Sequence, residues 1–387
     1  MKKLLFILIP LLLAVGLSAV SFDITGEYQV RAAMYNDASL DDDGHLDNRL
    51  RIGLDSEFHR DLKLRLTTEA SDTQWSKGRR GGIEIGKYIR LTEAYLDFQI
   101  PAIYATLRAG QLSWKDRMSI IFDAYFPGAM LSNSFGDSFH TELIWMKLIE
   151  NTAEVRDDGD VFVLHAVTDK YMPIGAYLFY GNYPELDIQN ITFMPYISIE
   201  KGALSLDAAY YESKQTEKGT DAHSRGFATK TNLDLNAVKL GVDFLIAGLD
   251  SHTFISPWYQ NGLYVYGNGK YHDGLNLYWD NHIKEDANLM ASIVAKLNVP
   301  LSQNLSFFAA IGQISVMSAD INTFWDFDGA GGTEVNAGFD GTIIPDLLSL
   351  QVYGAYGMYD KIKKYGVEVP ESGNKNYAVG STLQITF

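Results

Sequence analysis

Charged side chains recur at every second position near the start of the chain. Arg49, Arg51, Asp55 and Glu57 alternate with apolar or small neighbours, as do Lys63, Arg65 and Glu69 and, earlier, Glu27 and Arg31. Glu93, Asp97 and Arg108 continue the series. A period of two places each set on one face of an extended strand. Twelve ionisable groups of both signs on one side of a sheet have two uses. They can line a water-filled passage and bias it by their field, or they can neutralise one another and stiffen the wall. The sequence leaves both open. Asp207, Lys230, Asp234, Lys239, Asp243, Glu334 and Asp340 make a second, acid-leaning set. It points with the acidic loops toward weak cation preference, and the arginine cluster opposes that locally.

Other chemistry is thinly represented. His140 lies two residues from Ser138, and His165 stands farther on, but no G-x-S-x-G elbow is present. Catalytic residues are therefore not expected, and the chain does not read as an enzyme. Asp41 and Asp43 before Gly44 have the spacing of the first ligands of a calcium loop. The twelfth position is Leu50 instead of Glu, so they are only a weak calcium candidate. Cysteine is absent, which excludes disulfides and thiolate metal sites. No metal or cofactor is expected. No Gly-rich phosphate loop follows a strand.

The segments that carry the charges read as strands. Phe22, Ile24, Gly26, Tyr28, Val30, Ala32 and Met34 share one face, opposite Asp23, Thr25, Glu27, Gln29 and Arg31. That alternation is long for a globular strand and suits a tilted membrane crossing. Leu50, Ile52 and Leu54 repeat it, as do Leu62, Leu64 and Leu66, and later Val238 to Ile246 and Val335 to Phe339.

The first 21 residues have the form of a secretory signal peptide. Lys2 and Lys3 precede an apolar stretch, with cleavage expected after Ala19 or Ser21. Removing the two lysines leaves 30 basic against 48 acidic side chains, a net charge of −18. That balance disfavours nucleic acid as a partner.

Connections alternate in length. Short ones fall at 59–61, 101–103, 201–202, 236–237, 300–304 and 345–346. Long ones are read at 36–47, 72–86, 113–127, 213–225, 249–287, 318–332 and 361–374. Short periplasmic turns and long extracellular loops are the habit of outer-membrane barrels. Residues 22–387 are therefore read as one all-β, antiparallel transmembrane β-barrel. With 128–136 taken as a short strand the count is 18, and sixteen would also satisfy the even-number rule. Residues 376–387 alternate to a final Phe387 and read as the strand that closes the wall.

Together these features resemble a bacterial outer-membrane porin. Asn48-Arg-Leu-Arg-Ile52, Leu91-Thr-Glu-Ala-Tyr-Leu96 and Leu107-Arg-Ala-Gly-Gln111 are similar to the first strands of the alginate-export-like, 18-stranded barrels. The Arg that follows Gly in that family is Gln111 here. The porins of toga-forming thermophilic bacteria are a second resemblance. The likeness implies a channel for passive diffusion of ions and small hydrophilic solutes in the cell outer membrane. It implies lipid and the outer-membrane assembly machinery as partners, with Phe387 as part of the assembly signal. A structural or adhesive plugged barrel and an outer-membrane barrel hydrolase are the alternatives.

One loop is too apolar for free solution. Residues 113–127 would bury Ile120, Ile121 and Phe122 by folding into the lumen, offering Lys115, Asp116, Arg117 and Asp123 to a constriction. Packing against other loops or a subunit is the competing reading. Residues 262–271 read as a hairpin turning at Asn268-Gly269. With Trp258, Tyr259 and Trp279 they would either stack a sugar or form a structural aromatic cluster. Small residues Gly26 and Ala32 would flatten one wall for a subunit contact, as in a homotrimer.

Overall fold

A computed structural model describes residues 21–36, 42–74, 89–136, 138–149, 159–169, 172–249, 259, 261–264, 289–317, 331–361, 363–364, 367–368 and 375–387. Residues 1–20 of the signal segment, Asp41 of the calcium candidate, Trp258, Trp279 and the expected Asn268-Gly269 turn lie outside them. Asp43 falls inside a strand, paired with Tyr35.

Eighteen long strands make the wall: β1 (Ser21–Asn36), β2 (Asp42–His59), β3 (Leu62–Gln74), β4 (Ile89–Ile100), β5 (Ala105–Lys115), β6 (Asp123–Phe135), β7 (Phe139–Ile149), β8 (Gly159–Thr168), β9 (Ile174–Tyr183), β10 (Ile188–Lys201), β11 (Leu204–Glu217), β12 (Thr220–Asp234), β13 (Lys239–Leu249), β14 (Leu289–Ser302), β15 (Leu305–Met317), β16 (Gly331–Ile344), β17 (Leu348–Lys361) and β18 (Lys375–Thr386). Each pairs antiparallel with the next, and β18 pairs with both β17 and β1, so the sheet closes on itself. At the seam Gly26 and Phe387 exchange two backbone hydrogen bonds, 2.7 and 2.9 Å. The Phe387 ring lies where a side chain on Gly26 would stand. The strand count is 18, and the short strand expected at 128–136 is the lower part of β6.

Register keeps one parity outward around the ring. In β1 Ile24 is 66% exposed, whereas inward Gln29 is 2% exposed. Val242, Ile293, Ile311, Val335, Val352 and Val379 carry the same exposed face through β13 to β18. This apolar girdle encircles the molecule and is far larger than water-facing surfaces carry. Lipid is the solvent it matches.

Loop 213–225, expected to be long, is instead a tight hairpin. β11 and β12 remain paired up to Glu217 and Thr220. Lys218 and Gly219 turn the chain with φ of 48° and 79°, both positive, as a two-residue hairpin loop requires. Its polar residues belong to strands. Lys214 reaches Asp221 at 2.7 Å, and Thr216 donates to the same carboxylate.

The β5–β6 hairpin departs from the ring. β4 pairs β5 only as far as Ala94 and Gln111, and β6 meets β7 only from Gly128 onward. Residues 112–126 pair with one another alone, up to Lys115 and Asp123. The strands leave the wall at Gly110 and Gly128, which face each other across the hairpin. Gly110 has φ +136°, and a side chain there would run into the Ala94 carbonyl. One on Gly128 would meet the Trp145 carbonyl. We expect Gly110→Val and Gly128→Val each to destabilise the barrel, the former by about 1–3 kcal/mol for backbone strain. Urea midpoints of unfolding followed by tryptophan fluorescence would show it; midpoints equal to wild type would refute the hinge.

Candidate functional site

The inner wall of β1 to β5 carries a series of ion pairs. Arg49 donates to Glu27 at 2.8 Å. Arg51 and Arg90 both reach Glu69, each at 2.5 Å, and the Glu69 side chain is 0% exposed. Arg65 bridges Glu93 at 2.9 Å and Asp55 at 3.3 Å. Arg108 meets Asp97 at 2.7 Å, and Lys63 meets Glu57 at 3.1 Å. These contacts follow from register, which sets Arg51 opposite Glu69, Asp55 opposite Arg65 and Asp97 opposite Arg108. Arg31 lies on the same inner face and is buried. The residues singled out by spacing thus meet in cross-strand pairs. Arg90 belongs with them but sits beside the segment read as loop.

The departed hairpin lies inside the barrel. One side packs Leu112, Met118, Ile120 and Phe126 against Met130, Ile144, Met146, Val163, Phe179 and Met194 of the inner wall. Trp114 contacts Phe122 and Tyr177, both at 5.8 Å between ring centroids. Burying each large apolar side chain there contributes about 1.5–3 kcal/mol. The other side meets the charged wall, where Ser113 donates to Glu93 at 2.5 Å.

Asp116 organises the tip. Its carboxylate accepts hydrogen bonds from the amides of Met118, Ile120, Ile121 and Phe122, at 2.7–3.1 Å. It is 1% exposed, so it holds the turn and does not face the passage. Burial pushes its carboxyl up, and the four amides act against that. Arg117 points the other way. Its backbone amide donates to the Tyr177 hydroxyl, and its guanidinium reaches Asp207 at 3.1 Å and Ser198 at 2.6 Å. Lys115 and Asp123 face each other where the hairpin pairing ends.

Beneath Trp114 lies a polar cluster that sequence spacing did not reveal. His165 contacts Glu142 at 3.0 Å and the Tyr196 hydroxyl at 2.8 Å, and stacks on Tyr177 at 4.2 Å. His140 meets Ser134 at 2.8 Å, with Asp169 at 3.5 Å on its other nitrogen. These groups are water-exposed, His140 to 39% and Asp169 to 42%. That is the opposite of the buried, dry setting in which a triad orients its histidine.

A second segment enters from the same end of the barrel. Tyr264 donates its amide to Glu334 at 2.7 Å and its hydroxyl to Gln351 at 3.1 Å. Asn336 donates to the Gly262 carbonyl at 3.1 Å. Tyr264 stacks on Tyr353 at 4.1 Å, and Leu263 is fully buried beside Gly312. Lys230 lies over the Tyr259 ring at 4.6 Å, and Lys296 pairs with Asp243. Asp234 and Lys239 pair at 3.0 Å near the short-turn end. Among the described residues no group of three metal-ligating side chains occurs.

We expect Asp116→Ala to orphan four amides, each costing about 1–3 kcal/mol when buried, and to loosen the tip. Trypsin should then cut after Arg117 in the folded barrel while the wall resists. A tip as protected as in wild type would show that Asp116 does not hold it.

No family model matches the chain, and no curated protein matches it. Solved structures do. OccAB1 of Acinetobacter baumannii superposes with a TM-score of 0.63 at 12% identity, covering 95% of this chain and 96% of that one. A BenF-like porin from Pseudomonas fluorescens Pf-5 gives 0.62 at 10% identity, covering 96% and 99%. Pseudomonas aeruginosa OpdK, solved with vanillate, gives 0.59 at 10% identity, covering 94% and 98%. At these identities the likeness is one of fold: this chain shares the closed barrel architecture of those proteins.

Proposed function

We propose that the protein is an outer-membrane porin, a water-filled channel through which ions and small hydrophilic solutes diffuse. One observation carries the reading. A closed barrel presents an unbroken apolar girdle outward and a charged, hydrogen-bonded face inward. An Arg or Lys facing lipid at the midplane costs about 2–4 kcal/mol, so inward charge is what a membrane crossing demands. The neighbours, a porin and a protein solved with vanillate among them, support solute passage. The resemblance to alginate-export-like barrels, and the second one to porins of toga-forming bacteria, belongs to the same class. The twelve inner-wall residues line the passage, and Arg117 on the inward tip narrows it.

The remaining expectations fit this placement. The first 21 residues direct export and are removed. The last strand with Phe387 is read by the assembly machinery. A homotrimer is the proposed assembly, although Phe387 already covers Gly26 in the wall where a flat contact was expected.

Single-channel recording in a planar bilayer tests the reading. Stepwise conductance is expected, larger in Arg117→Ala because its side chain bridges to Asp207 and Ser198. In a salt gradient weak cation preference is expected, and Arg51→Gln or Arg65→Gln should shift the reversal potential further in that direction. Silence from folded, inserted protein would sink the porin reading and leave a plugged barrel. An ester-hydrolysis assay on the same sample would expose a hydrolase.

A further inference from the structure

The lumen holds a cavity of about 360 Å³ on the short-turn side of Gly262 and Tyr264, away from the arginine wall. That volume is at the lower end of the range of about 300–1,000 Å³ typical of small-molecule sites. Its chemistry differs from that of β1 to β5. The polar groups are chiefly amides: Asn232, Asn298, Asn336 and Gln351. The cationic groups at its rim are already compensated, and its carboxylate is held by an amide. Lys239 pairs with Asp234, Lys296 with Asp243, and Asp340 accepts a hydrogen bond from Gln351 at 2.8 Å. Tyr264 and Phe308, ring centroids 6.2 Å apart and only 22° from parallel, give the cavity aromatic surface. Asn336 is 2% exposed, and its Oδ1 accepts no hydrogen bond among the described residues.

We propose that this cavity is a binding subsite for a neutral sugar of one or two rings. A carboxylate ligand would need an unpaired cation, and both lysines at the rim are spent on carboxylates; Asp340, held only by the Gln351 amide, remains to accept from a hydroxyl. Sugar hydroxyls both donate and accept, which is what primary amides complement on each side. The apolar face of a pyranose ring stacks on aromatic side chains, as the Tyr264 and Phe308 surface allows. A hydroxyl donating to Asn336 Oδ1 satisfies a buried acceptor that the residues lining the cavity leave open. The subsite rests on the channel reading for its role, since a solute must pass to meet it, but not for its binding.

Isothermal titration of the full-length barrel in detergent with D-glucose, maltose and, as an anionic comparator, benzoate tests it. Saturable binding of at least one sugar is expected, unaffected by benzoate. Asn298→Leu and Asn232→Leu should each weaken it by about tenfold, with folding verified by heat-modifiable gel mobility. Absence of saturable sugar binding, displacement of sugar by benzoate, or full affinity in both folded variants would overturn the proposal. Bilayer conductance on the same preparation separates the two ideas. A conducting barrel that ignores sugar loses the subsite and keeps the channel. A silent barrel that binds sugar keeps the subsite and loses the channel.

Discussion

Every backbone amide at the level of lipid must find its partner within the protein. The closure of β18 onto β1 meets that demand, and much else follows from it. A closed antiparallel ring fixes register, and register fixes which parity faces out. Because the side-chain period is two, a one-residue slip would turn Arg49, Arg51 and Arg65 toward lipid. The cross-strand ion pairs are therefore consequences of closure as much as contributors to it. Glu69 is the pair member most bound to its place. With its side chain fully buried between two guanidiniums, losing one of them would leave a buried charge under-compensated, which costs about 3–5 kcal/mol.

Hairpin 112–126 departs from the wall where the pairing rule has a local alternative. Its two strands satisfy each other, so the pair can leave the ring as a unit. Glycine is needed at both points of departure because the neighbouring carbonyls occupy the space a side chain would take. Once inside, the hairpin divides the lumen. Its apolar side completes a core with β6 to β12, and its polar side faces the arginine wall. The segment ending at Tyr264 fills part of the far wall in the same manner, using Glu334, Asn336 and Gln351 as anchors.

These intrusions explain which parts of the sequence could be read. In β1 to β4 the inner face stays polar, so alternation is clean and the ladder residues stand out. In β7 to β9 the inner face is covered by the hairpin, and Ile144, Met146, Val161, Val163 and Phe179 are apolar on the inside as well. Period two dissolves into runs such as Val161-Phe162-Val163-Leu164, and this is where strands were hardest to place. Loop 113–127 betrayed itself by being too apolar, yet nothing in its sequence said that Asp116 would turn inward on its own amides. The 213–225 segment failed for the converse reason. Polar residues on both faces read as loop, although Lys214, Thr216 and Asp221 sit in paired strands. Residues 261–264 carry no periodic signal, because the hydrogen bonds that anchor them come from Glu334, Asn336 and Gln351, seventy or more residues away.

The question left open by spacing, whether the charged wall is a field or a brace, has a physical answer in the pairing pattern. The wall charges are held by opposite charges, as in Arg49–Glu27, Arg65–Glu93 and Arg108–Asp97, so much of the network's long-range field cancels. What survives is short-ranged: half-exposed guanidiniums such as Arg65 and Arg108 that keep spare N–H donors toward water. A guanidinium presents five donors and a single carboxylate engages two at most, so bracing leaves donors for a passing solute. Selectivity by net sign then falls to groups outside the tight pairs. Lys230, against the Tyr259 ring with no carboxylate within ion-pair distance among the described residues, is one such group. Arg117, carried into the lumen on the hairpin and sharing Asp207 in a half-exposed pair, is another. In the proposed channel the paired wall would supply rigidity and hydrogen bonds, leaving charge discrimination to groups such as Lys230 on β12 and Arg117 on the hairpin.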